Sequence, residues 1–125
     1  MHDLWLTLID AMGAWHQGKL FVEHAFAIDH DALHILVGLL AWLAFALLLR
    51  RPITSWLPLL WCFALILWNE TVDLWVEQWP EPGMQYGECA KDVILTILAP
   101  ALLMMAARLR PDLFRKTASR RRRRG

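Results

Sequence analysis

Charge is scarce in this chain and unevenly placed. Of 125 residues, 20% are Asp, Glu, Lys or Arg and 58% are hydrophobic. That balance excludes a disordered chain, which combines few apolar residues with many charges, and the length allows one domain rather than two. Cysteine is nearly missing, with only Cys62 and Cys89. Several motifs are missing outright. There is no Gly-rich phosphate loop and no Ser or Cys nucleophile motif. The HExxH zinc motif is absent too, because Asp31 and Leu33 stand inside the His30/His34 spacing. No internal repeat occurs. A basic n-region is lacking at the start, where Asp3 stands instead, so the first residues read poorly as a signal peptide.

What is present is a set of long uncharged runs. Residues 32–49, 53–69 and 93–107 contain no Asp, Glu, Lys or Arg. A spanning helix needs about 20 mostly apolar residues, and each run reaches that length by borrowing a few polar neighbours. The runs are apolar all round rather than on one stripe, which favours lipid over a soluble core. Eight Trp suit the same environment, and Trp5, Trp15, Trp56, Trp75 and Trp79 fall near run ends, where indole rings favour the head-group region. Pro58 and Pro100 are expected kink positions in the second and third spans. The N-terminal stretch differs. Leu4, Trp5, Leu8, Ile9 and Met12 recur at helical spacing opposite Asp3, Thr7 and Asp10, which reads as an interfacial amphipathic helix. His16-Gln17-Gly18-Lys19 interrupts it and argues against a span.

The fold expected is therefore all-α: three transmembrane helices at about 30–49, 53–75 and 89–108 within a membrane domain 29–110. An interfacial segment 1–28 precedes it and a basic tail 111–125 follows it. The orientation comes from arginine. All ten Arg lie at 50–51 or from 108 onward. The positive-inside rule puts both clusters in the cytoplasm, and an odd number of spans agrees with that. Ten Arg and Lys116 against Asp112 give that side +10, while eleven acids against Lys19 and Lys91 give the outer side −9, so the overall +1 conceals two opposed faces. The Arg120–Arg124 run reads as an anchor for anionic lipid. Nucleic-acid binding needs more than charge. Cys62 lies mid-span and Cys89 near the outer end, a depth difference of about 12 Å, too far for a disulfide.

Ionisable residues collect at one depth. His30, Asp31 and His34 fall within an arc of about 100° on the first span. Gly38 and Ala41 continue that face, and with Ala44 they offer a close-packing surface on which a homo-oligomer is plausible. Glu70, Asp73 and Glu77 share a stripe on the second span, and Glu88, Asp92 and Thr96 on the third. Taken singly, each has a structural role open to it. His34 can hydrogen-bond between helices, Glu70 can clamp Lys91, and Asp31 or Asp92 can sit at a helix N-terminus. Glu77, Glu81 and Glu88 read as solvated loop charges. As a set, intramembrane ionisable groups point to function. The expected site is an outer-face pocket of His34, Glu70, Asp73 and Asp92, supported by His30 and Asp31, for a lipid-linked or polar ligand. A second reading is a divalent metal held by His30 and His34 with carboxylates, and with it a metal-dependent hydrolase. A third is a non-catalytic assembly partner.

The arrangement Asp31-Ala-Leu-His34, then Asn69-Glu70-Thr-Val-Asp73, then Asp92-Val-Ile-Leu-Thr96-Ile-Leu-Ala99 resembles the VanZ-like family of small bacterial membrane proteins. The resemblance covers about residues 29–107. Asn69 stands where the family has the first acid of a pair, Thr96 where it has Asn, and Ala99 where it has Gly. Lys91 stands in for the usual Arg before the third span. The resemblance implies a multi-pass protein of the bacterial cytoplasmic membrane with a role at the cell envelope.

Overall fold

The computed structural model describes residues 2–26 and 29–113. Its elements are all helical among those residues: α1 (His2–Phe26), α2 (His30–Leu48), α3 (Trp56–Val76), α4 (Pro82–Leu109) and a short 3-10 turn at Pro111–Leu113. Among the described residues, α2, α3 and α4 are long and apolar enough to cross a membrane, and α1 is not among them. The basic run Arg120 to Arg124, with Arg115 and Lys116, lies outside the described residues.

Each boundary has a local cause. The Asp29 carboxylate caps α2 by accepting from the Asp31 N–H at 3.0 Å, so Asp29, rather than Asp31, is the capping acid. At the other end of α2, the Arg51 N–H reaches the Ala46 carbonyl at 2.9 Å and the Arg50 N–H the Leu47 carbonyl at 3.1 Å. This is the paired closure of a Schellman motif. Its left-handed position is filled by Arg50, at φ 50°, where glycine is usual. Pro52 then prevents continuation. Ser55 caps α3 through the Leu57 N–H at 3.3 Å, so α3 begins at Trp56 instead of 53. Pro58 lies in the first turn of α3, where a missing N–H costs no helical bond, so the kink expected there has no cause. The helix that carries the third span begins at Pro82, seven residues before the expected span. Proline is well suited to that first position, and the residues after it extend the helix above the apolar run.

The bundle buries small and polar residues around a few large ones, and many of its large aliphatics face outward. Gly38, Ala46, Cys62, Thr96, Pro100 and Ala107 are buried. By contrast Leu40, Leu47, Leu60, Leu98 and Leu102 are exposed. Lipid favours this arrangement, since it gives Leu no reason to leave the surface and lets small residues bring backbones together. The apolar centre is Trp42, Leu59, Cys62 and Met104. Both cysteines are free thiols.

The closest approach is between α2 and α4. A Cβ added at Gly38 would lie 2.8 Å from the Thr96 carbonyl carbon and nearer still to its oxygen. Pro100 explains why that oxygen is available. Proline has no N–H, so the Thr96 carbonyl loses its partner four residues on, and the Gly38 Cα takes up the vacated side at Cα–H···O range. Gly38 is thus engaged inside the chain, against α4. At the opposite end of the bundle, Arg108 donates through Nε to the Thr54 carbonyl at 2.7 Å and stacks 4.6 Å over the Trp56 ring. That end carries Arg50, Arg51, Arg108 and Arg110.

Candidate functional site

The ionisable residues of three spans meet where α2 begins, α3 ends and α4 completes its first turns. Two adjoining clusters form there. In the first, His30 Nε2 lies 3.2 Å from Asp92 Oδ2 and His34 Nε2 lies 3.6 Å from the same oxygen. The His34 Nδ1 is 3.0 Å from the Thr96 hydroxyl, and that hydroxyl donates to the Asp92 backbone carbonyl at 2.7 Å. The two imidazoles stand edge to face with centroids 4.7 Å apart. Asp92 is 6% exposed, and its Oδ1 is buried with no hydrogen-bond partner among the described residues.

The second cluster joins α1 to α3. Asp73 receives the Lys19 ammonium, the Asn69 amide at 3.1 Å and His16 Nδ1 at 3.2 Å. The other ring nitrogen of His16 faces Glu77 Oε1 at 3.5 Å. Asn69 also donates to Glu70 Oε1 at 3.0 Å and accepts from the Trp15 indole at 3.0 Å. It therefore satisfies both amide hydrogens and its carbonyl, which a buried amide requires.

His34, Glu70, Asp73, Asp92, His30 and Asp31 all lie at this end, but not in one contact set. His30, His34 and Asp92 belong together. Glu70 and Asp73 are held by Asn69, Lys19 and His16. Asp31 pairs with Lys91 at 2.9 Å on the rim, and Glu88 takes the same ammonium at 2.5 Å. The Lys91 clamp therefore runs to Asp31 and Glu88 instead of to Glu70. The residues that spacing alone did not single out are Trp15, His16 and Lys19. They sit on one helical face at i, i+1 and i+4, a signal present in the sequence. The stretch from His16 to Lys19 does not break α1; it is the part that docks.

Two cavities flank these clusters. A polar cleft of about 440 Å³ is lined by seven carboxyl groups (Asp29, Asp31, Glu70, Asp73, Glu77, Glu88 and Asp92), against two lysines and two histidines. A second cavity of about 380 Å³ is a groove between α1, α2 and α3, walled by Val22, Leu33, Val37, Leu65 and Ile66. Lys19 and His30 line both, and both volumes fall within the usual range for small-molecule sites. No protein-family model, curated protein or solved structure matches the chain.

Proposed function

We propose that this chain is a small cell-envelope membrane protein that binds an amphiphile, with the head group in the polar cleft and the tail in the apolar groove. One observation carries the reading: the two cavities adjoin, sharing Lys19 and His30. A purely polar ligand would have no use for a groove walled by aliphatic side chains, and an apolar one none for the cleft. The excess of carboxyl groups sets the head chemistry. Amine or hydroxyl donors fit it, whereas a bare anion is repelled.

The arginines at the other end support an orientation with the cleft on the outer side of a cytoplasmic membrane. The tail after residue 111 would then hold anionic lipid on the inner side. The resemblance to VanZ-like proteins supports a bacterial envelope setting, because its three motif elements all contribute to this end.

The test is native mass spectrometry of the protein extracted with its own lipid. An amphiphile should remain bound to the wild type. It should be lost on Val37→Trp, which fills the groove, and weakened by Asp73→Asn. An identical lipid complement in all three proteins refutes the reading. Reporter fusions at Gly83 and Gly125 test the orientation, with outside and inside expected respectively.

A further inference from the structure

We propose that His30, His34 and Asp92 form a binding site for one divalent transition-metal ion of the Zn²⁺ class. The inference does not need the amphiphile reading, although His30, His34 and Asp92 also line the two cavities. Its first support is spacing. Ligand atoms bonded at 2.0–2.1 Å around a tetrahedral ion lie roughly 3.3 Å from one another. The two ring nitrogens here lie 3.2 and 3.6 Å from Asp92 Oδ2, and all three ligand atoms fall within 4.8 Å of one another.

The second support is the direction of the hydrogen bonds. The Thr96 hydroxyl gives its single hydrogen to the Asp92 carbonyl, so toward His34 it can only accept. His34 must then carry a hydrogen on Nδ1, and the neutral ring presents a lone pair on Nε2. That lone pair faces a carboxylate oxygen at 3.6 Å, longer than a hydrogen bond. When the ring is neutral, a cation between these two facing acceptors satisfies both. A ligand histidine whose other nitrogen donates to a fixed acceptor is the usual outer-sphere arrangement of a metal site.

The third support is the unpartnered oxygen. Asp92 Oδ1 is buried without a hydrogen bond, a costly condition for an acceptor. A cation chelated by both oxygens of this carboxylate gives Oδ1 a partner. Two imidazoles and one carboxylate favour zinc, cobalt or iron over magnesium or calcium, which prefer oxygen throughout. Three protein ligands leave a coordination position for solvent or substrate. The other group of suitable composition, His16, Asp73 and Glu77, already has a cation: the Lys19 ammonium sits on Asp73.

The test uses the full chain in detergent micelles, stripped with chelator and titrated with Co²⁺ by visible absorption, then with Zn²⁺ by calorimetry. One equivalent should bind and give tetrahedral cobalt bands. His34→Gln and Asp92→Asn should abolish the bands. Thr96→Val, which removes the Nδ1 partner and the hydroxyl's own bond to the Asp92 carbonyl, should weaken binding about 10-fold. His16→Gln should leave it unchanged. His30 is half exposed, so His30→Ala keeps the fold and decides the matter if the buried variants do not purify. A wild type that binds no cobalt, or a His30→Ala protein with wild-type affinity, overturns the proposal.

Discussion

Replacing Gly38 with alanine tests the α2–α4 contact directly. The new methyl carbon would sit 2.8 Å from the Thr96 carbonyl carbon, where ordinary contact begins at 3.4 Å, and the obstacle is backbone that no rotamer change can move. The helices must part by roughly 1 Å, and overpacking of this kind costs about 1–3 kcal/mol. Alanine's better helix propensity returns at most about 1 kcal/mol. Because the obstacle is backbone, the cost falls in the upper part of that range and the expected net loss is about 1–2 kcal/mol, with Gly38→Leu far worse. Cys62 provides the readout. It is 1% exposed, and its thiol donates to the Gly38 carbonyl at 3.5 Å. In a Cys89→Ser background, a thiol-reactive dye reports melting through Cys62 alone. Gly38→Ala should label at a clearly lower temperature than its parent. A melting curve that is unchanged or shifted upward would show that α2 and α4 are not in backbone contact at this point.

Glycines without neighbours should behave oppositely: Gly13 has nothing within 4 Å of an added Cβ, so Gly13→Ala should raise stability by about 0.5–1 kcal/mol in the same assay. Arg50→Gly should relieve about 1 kcal/mol of left-handed strain, measurable as a higher melting temperature; no change would mean that the turn is not strained. Lys19→Ala removes the charged link between α1 and α3 at a cost of about 2 kcal/mol, and α1 should become more open to protease while α2–α4 stay protected. At the chain's basic end, the Arg110 guanidinium holds the Asp112 carboxyl below its ordinary range through a side-chain hydrogen bond. That link is present above the ordinary aspartate range and is lost as pH falls through the lowered value. In an NMR titration, Arg110→Gln should move the Asp112 midpoint upward.

The three spans are legible because length and apolarity alone determine them. The gathering of His34, Glu70, Asp73 and Asp92 at one end also follows from helical spacing and an up–down topology. Spacing does not show which of those groups touch. Asn69 holds Glu70 and Asp73 with its own amide hydrogens while Asp92 takes the imidazoles of His30 and His34, and no periodicity encodes that choice. Helix starts depend on chemistry local to each terminus, Ser55 for α3 and Pro82 for α4, which the length of an apolar run does not report. The docking face of α1 escaped for a different reason. His16 and Lys19 read as interruptions of an apolar stripe, and their value depends on carboxylates more than fifty positions later in the chain, with sequence separations of 57 and 54.

Those separations also order the birth of the molecule. Trp15 and Lys19 find Asn69 and Asp73 across 54 residues, and His34 finds Thr96 across 62. At ribosomal rates of 5–20 residues per second, α1 waits roughly 3–10 s for its partner to be made. It spends that interval with its docking face unsatisfied. The cleft cannot close until α4, the last helix of the bundle, has entered. A chain arrested after two helices has His34 but neither Thr96 nor Asp92, so the finished site is also a record that synthesis passed through α4.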